Sequence, residues 1–201
     1  MRIVLASTSR YRRELIQRLG LGVESAAPAF DEEAEKKALE ALSPEDLVAS
    51  LARGKARSLG EAYPDALIIG SDQAAEVDGE LLGKPGTEEA ARAQLRLLSG
   101  REHRLLTAVA VFEPRTGRLE EALDVHRLSV RALSDEAIAN YVRLDRPLDC
   151  AGSYRVEALG IALFDRLSGD DFTAIIGLPL TRVVALLDRF GVRVLEGAQA
   201  L

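Results

Sequence analysis

Short apolar runs alternate with amphipathic stretches along this chain, and the alternation predicts a mixed α/β protein. Arg2-Ile3-Val4-Leu5-Ala6 reads as a short buried strand that runs directly into a helix with Leu15, Ile16 and Leu19 on one side and Gly20 at its close. Ser43-Pro44-Glu45-Asp46 opens a second helix, with a hydroxyl cap, proline in the first turn and acids beside it; Leu47, Val48, Leu51 and Ala52 carry it to about Leu59. Ala66-Leu67-Ile68-Ile69-Gly70 is a second buried strand, and Val77-Asp78-Gly79-Glu80 is a tight hairpin turn.

Further along, Thr87-Glu88-Glu89 starts a helix that Ser99-Gly100 ends. From Glu102 to Arg131 the pattern switches to strict alternation around Pro114-Arg115-Thr116-Gly117, which predicts a long antiparallel hairpin. Ser134 caps another helix through Ile138 and Tyr141, Leu159 to Leu167 reads as a strand, Asp170-Asp171 as a loop, and Pro179 to Phe190 as a last amphipathic helix before Gly191. The tail after Glu196 is expected to fray. This order of elements implies α/β architecture with a mixed sheet.

The strand-to-helix junction at the start also carries chemistry. Ser7-Thr8-Ser9-Arg10-Tyr11-Arg12-Arg13 aims hydroxyls, free backbone N–H groups and guanidinium groups at one place, as a phosphate compound requires. An Arg-rich first turn is also commonly a solvated helix face. Two further blocks add weight. Ser71-Asp72-Gln73 ends the second strand, and the hairpin at 77–80 would return Gly83-Lys84-Pro85 towards Asp72, giving one site a carboxylate and a fixed cation.

With 201 residues, the chain suits a single domain spanning 1–201, or two lobes on one core, that buries about 70% of its unfolded surface. A net charge of −6, from 26 basic and 32 acidic side chains, argues against a broad nucleic-acid or anionic-membrane surface. Cys150 is the single cysteine, so no intrachain disulfide forms and a small buried apolar residue is expected there. The first apolar run is too short for a signal peptide, and no stretch approaches the roughly 18 residues of a membrane helix. A cytoplasmic location is therefore expected. His103 and His126 lack ligand-like spacing and read as exposed strand positions.

Seven motifs in order resemble the Maf family of nucleoside triphosphate pyrophosphatases, which is also described as septum formation inhibitors. They are Leu5-Ala6-Ser7-Thr8-Ser9 with Arg12-Arg13, Asp31-Glu32, Ala52-Arg53-Gly54-Lys55-Ala56, Gly70-Ser71-Asp72-Gln73, Gly83-Lys84-Pro85, Leu98-Ser99-Gly100 and Gly177-Leu178-Pro179-Leu180. Asp72-Gln73, Tyr11 before the arginine pair, and Ala151-Gly152-Ser153-Tyr154 leading to Glu157 look like the branch that acts on 7-methyl-GTP. One departure is Arg10, where the family usually has proline.

The resemblance implies a mixed sheet in two lobes around a deep nucleotide cleft, similar to inosine triphosphatase. It also implies cleavage of a nucleoside triphosphate to the monophosphate and pyrophosphate, a divalent metal (Mg²⁺ or Mn²⁺), and a possible homodimer. On that footing Asp72 is the general base, with Glu32 a second carboxylate sharing the metal. Ser7, Arg12, Arg13, Lys55 and Lys84 hold the triphosphate. Tyr11 stacks on a cationic methylated guanine, Glu157 accepts its N1 and N2 hydrogens, and Gln73 bonds a base edge or orders the water. Two other readings stay open: the same reaction on dTTP, UTP or another noncanonical nucleotide, and a non-catalytic nucleotide-binding regulator of septum formation.

Overall fold

The structure is a computed structural model that describes residues 1–39 and 41–197. Its elements are β1 (Arg2–Ala6), α1 (Arg10–Gln17), β2 (Val23–Ala26), α2 (Glu32–Ala38), α3 (Pro44–Arg57), β3 (Ala66–Val77), β4 (Glu80–Leu82) and α4 (Glu88–Leu98), followed by β5 (Glu102–Glu113), β6 (Arg118–Val130), α5 (Asp135–Asp145), β7 (Phe164–Ser168), α6 (Phe172–Ile176), α7 (Leu180–Arg189) and α8 (Val194–Gly197). The seven strands form one mixed sheet in the order β2-β1-β3-β5-β6-β7, with β4 on β3. Two compact units divide the chain, and the long strands β3, β5 and β6 have residues in both.

The first unit comprises Met1–Asp72, Thr107–Asp124 and Asp171–Leu201. Its centre is β1, which pairs in parallel with β2 (Ile3 with Val23) and with β3 (Ile3 with Leu67, Leu5 with Ile69). Ile3, Leu5, Leu67 and Ile69 pack with Leu15 and Ile16 of α1 and with Val183, Leu186 and Leu187 of α7. Each fully buried side chain of this size contributes about 1.5–3 kcal/mol. The apolar rows read from the sequence are thus the rows that close this core.

The second unit comprises Gln73–Leu106 and Val125–Asp170. Here β3 turns through Asp78 (φ 52°) and Gly79 (φ 85°) into β4, with Val77 opposite Glu80 and Ala75 opposite Leu82, the two-residue hairpin that the Asp-Gly pair predicts. β6 pairs antiparallel with β7, and the register shifts between Ser129 and Val130. No helix among the described residues is long and apolar enough to cross a membrane.

Several expectations need correction. The strand expected over Leu159–Leu167 is a 3₁₀ turn at Leu159–Leu163 followed by the shorter β7. Gly160 lies against the Arg155 backbone, where a Cβ would stand 2.3 Å from the carbonyl oxygen, so the chain is still turning at that point. β2, α2, α6 and α8 have no counterpart among the elements expected from the sequence. α2 is polar throughout (EEAEKKA) and shows no apolar stripe; an Asp31 cap and a Glu32–Lys36 pair at 2.7 Å support it instead. His103 and His126 are buried, not exposed. His103 Nε2 lies 2.8 Å from the Tyr154 hydroxyl, and burial pushes its pKa down to about 4 against the opposing fields of Glu76 and Glu102. Of the expected frayed tail, Gly197 closes α8 and residues 198–201 lie outside the described residues.

Candidate active site

In the first unit, β3 meets the side of α3 at Gly70, and the strand expected to end at Ser71-Asp72-Gln73 runs on through these residues to Val77. A Cβ there would lie 2.2 Å from the Ala52 carbonyl oxygen and 2.6 Å from the Ala56 nitrogen, so only glycine lets the helix backbone come this close. The consequence is a buried ion pair. Lys55, one helical position before Ala56, extends to Asp72, two residues after Gly70, with Nζ 2.6 Å from Oδ1. Both residues are 6% exposed.

Lys55 also reaches Glu32, the first residue of α2, with Nζ 2.7 Å from Oε2. One ammonium therefore joins two carboxylates from separate elements. Burial works to raise the pKa of Glu32, but Lys55 and Lys36 together outweigh it and hold the carboxyl at about 2.

The N-terminal junction supplies the second cation. The parallel register pairs Leu5 with Ile69, so Ser7 leaves β1 at the level of Ser71. Ser7 is buried, and its Oγ accepts from the Ser9 N–H at 3.1 Å, while Ser9 caps α1 by accepting from the Arg12 N–H. Successive helix residues diverge by about 100°. Arg12 therefore turns inward and Arg13 is exposed. Arg12 Nε donates to the Gly177 carbonyl at 2.8 Å, and the Ser71 hydroxyl donates to the same oxygen at 3.3 Å. Burial lowers the pKa of Arg12, while the nearby charges of Asp72 and Glu32 oppose that shift.

Gly177 is itself held in place. It ends α6 with φ 132°, a conformation that disfavours a side chain. Asp171 caps α6 and ties it to α7, accepting from the Thr173 N–H and hydroxyl and from the Thr181 N–H and hydroxyl at 2.5–2.8 Å. Sequence reasoning did not single out Ser71, Asp171 or the Gly177 carbonyl. The signals were present as the Asp-Phe-Thr cap and the Gly-Leu-Pro motif, but a backbone acceptor has no side-chain signature.

The structure thus brings together Arg12, Glu32, Lys55 and Asp72, with Ser7 at the strand end beside them. Tyr11 is half-buried in the same unit, and the Arg10 guanidinium carbon stands 5.0 Å from its ring centre. Gln73, Lys84 and Glu157 belong to the second unit. Gln73 is half-buried on β3; Lys84 is exposed two residues beyond β4; Glu157 is exposed just after the 3₁₀ turn at Ala151–Ser153. Local burial, with Asp145 and Asp149 nearby, raises the pKa of Glu157 despite Arg155. Cys150, expected to be buried, is only half-buried and lies against the Asp149 carboxylate.

A family profile described as Maf-like protein matches residues 2–190. The chain belongs to the Maf-like family. Its curated relatives include a 7-methyl-GTP pyrophosphatase of Syntrophotalea carbinolica, 47% identical over 199 residues covering 98% of each chain. Another from Xanthomonas campestris pv. campestris is 47% identical over 190 residues, 94% of this chain and 96% of the relative. A third, from Pseudomonas aeruginosa, is 45% identical over 192 residues, 96% of this chain and 98% of the relative. The Maf-like match spans every element from β1 to α7 and reaches both units, so it includes every candidate site residue named above.

Proposed function

We propose that this Maf-like chain hydrolyses 7-methyl-GTP to 7-methyl-GMP and pyrophosphate, removing a modified nucleotide. The observation that carries the reading is the convergence of Asp72 and Glu32 on Lys55, with Arg12 beside them. The names of three relatives that align over nearly their whole length supply the substrate.

With Lys36 on Glu32, the cluster contains three cations (Arg12, Lys36 and Lys55) and two carboxylates, a small positive excess. A nucleoside triphosphate brings about four negative charges, which this small excess alone does not balance. A divalent cation held by the two carboxylates would supply the balance. Asp72 and Glu32 each hydrogen-bond one nitrogen, which places their oxygens within two hydrogen-bond lengths of each other, and an all-oxygen carboxylate pair suits Mg²⁺ or Mn²⁺. When bound, such an ion supplies charge neutralisation at the phosphates. No group of three or more His, Cys, Asp or Glu that could hold a metal occurs among the described residues, so phosphate oxygens and water would complete the shell.

The chain's own residues then have distinct tasks. Asp72 accepts the proton of the attacking water, and Lys55 fixes the direction of its carboxylate. Arg12, oriented by Gly177, clamps phosphate oxygens as charge develops on the leaving pyrophosphate; Ser7 donates alongside, and Arg13 and Lys84 add cations. Tyr11, Gln73 and Glu157 select the base. A pure nucleotide receptor would gain little from two carboxylates facing a triphosphate, which favours turnover over regulation of septum formation alone.

One observation favours the alternative substrates dTTP or UTP. The Arg10 guanidinium lies over one face of the Tyr11 ring, so a cationic methylated guanine stacking there would meet a like charge, whereas a neutral pyrimidine would not. The experiment is pyrophosphate release from a panel of canonical and methylated triphosphates, with and without Mg²⁺ or Mn²⁺. Metal-dependent turnover greatest on 7-methyl-GTP is expected; preference for UTP or dTTP selects the alternative, and no release from any triphosphate overturns both. A cytoplasmic homodimer that binds no nucleic acid completes the proposal, and light scattering reads its mass.

A further inference from the structure

Gln94 lies half-buried on α4, outside the groups assigned above, and it joins two loops of the second unit. Its Nε2 donates to the Gly83 carbonyl at 3.2 Å, one residue before Lys84. Its Oε1 accepts from the Ser153 hydroxyl, in the loop that leads to Glu157. The Gly83 carbonyl can only accept, so it fixes which end of the amide faces which loop.

The Ser153 end is a strained segment. Gly152 (φ 72°) and Ser153 (φ 64°) are consecutive left-handed residues, and Ser153 is fully buried. A non-glycine residue in that region persists only when its surroundings over-determine it. The Gln94 contact and the Ser153 N–H to the Cys150 carbonyl at 3.1 Å provide that determination. At the other end, Lys84 is exposed and follows a glycine, so the anchored Gly83 carbonyl is the nearest fixed point that limits its reach.

We infer that Gln94 is a positioning residue that sets the phosphate-binding lysine loop at 83–85 and the base-selecting loop at 152–157 in one fixed relation. This inference rests on the proposed nucleotide pyrophosphatase reading and deepens it. Each half of the amide serves a different part of the substrate. The donor half governs affinity for the phosphate chain; the acceptor half governs discrimination of the base.

The two halves are separable by substitution. Gln94→Glu keeps an acceptor for Ser153 but sets a carboxylate against the Gly83 carbonyl. Ser153→Ala removes the other contact and leaves the Gly83 bond. One net hydrogen bond corresponds to about threefold to tenfold in affinity. Gln94→Glu is therefore expected to weaken inhibition by inorganic tripolyphosphate by that factor, raising KM for every nucleotide with kcat and base preference retained. Ser153→Ala is expected to leave tripolyphosphate inhibition unchanged while reducing the ratio of kcat/KM for 7-methyl-GTP over UTP.

Thermal melts and circular dichroism identify folded variants. Should either variant not fold, Gln94→Met, which keeps the volume and removes both bonds, must move both readouts. Folded variants in which neither readout moves, or in which both substitutions move the same one, overturn the inference. Calorimetric binding of tripolyphosphate to wild type and Gln94→Glu reads the lysine half even if wild type turns over no nucleotide, a result that would instead remove the proposed function.

Discussion

Lys55 and Asp72 form a buried pair, 2.6 Å apart, that exists because Gly70 lets α3 lie directly against β3. Breaking such a pair from one side leaves an uncompensated charge, which costs about 3–5 kcal/mol. Lys55→Met leaves Asp72 and Glu32 facing each other without their shared cation. Its melting temperature is expected to fall well below that of the wild type and to be raised more by millimolar Mg²⁺ than the wild type's. Equal stabilisation of both proteins by Mg²⁺ would separate these carboxylates from any metal site.

Asp72→Asn retains hydrogen-bonding capacity and leaves Lys55 paired with Glu32. The variant should fold and bind nucleotide, yet lose about 10²–10⁴-fold in turnover, the range for loss of a positioned general base. Rapid-quench measurement of pyrophosphate release checks this, and unaltered turnover removes Asp72 from the proton transfer.

Displacing α3 tests the same geometry from a distance. In Gly70→Ala, the new methyl group meets backbone atoms of Ala52 and Ala56 that cannot swing aside. Overpacking of this kind costs about 1–3 kcal/mol or more. A lowered melting temperature with reduced kcat, although no charged group has been altered, is the expected result.

Two buried or half-buried groups give acid sensitivity in different windows. His103 is neutral in the fold down to about pH 4, whereas an unfolded histidine gains its proton near 6.5, so its burial removes stability as pH falls from about 6.5 to 4. Glu32 is held at about 2 against an unfolded value of 4.5; its contribution is complete above 4.5 and is lost as pH falls towards 2. Denaturant titrations at several pH values should show the upper slope flattened in His103→Gln and the lower one flattened in Glu32→Gln.

Glu157→Ala addresses base selection. Loss of an anionic acceptor should reduce kcat/KM for 7-methyl-GTP far more than for UTP, in steady-state assays on the two substrates. Equal losses on both would show that Glu157 does not read the base.

Much of the architecture was legible because its signals are local. The Ser43-Pro44 cap, the Asp78-Gly79 turn and the apolar runs at 3–6 and 66–69 each specify their own element within a few residues. α2 escaped because a wholly polar helix has no apolar period, and β7 was overextended because an apolar run does not distinguish a strand from the 3₁₀ turn at Leu159–Leu163. The histidines at 103 and 126 were misjudged because burial of a polar ring depends on partners such as Tyr154, about fifty positions away in the sequence.

Residue types and their order along the chain determined the α/β class, the family and the set of ionisable groups available for phosphate chemistry. Folding decided which of them meet. Helical geometry separated the adjacent Arg12 from Arg13, and the absence of a Cβ at Gly70 brought Lys55 to Asp72 and Glu32. Side-chain identity is written in one dimension, but distance, burial and charge neutralisation are properties of three, and they arise only once strands and helices have packed.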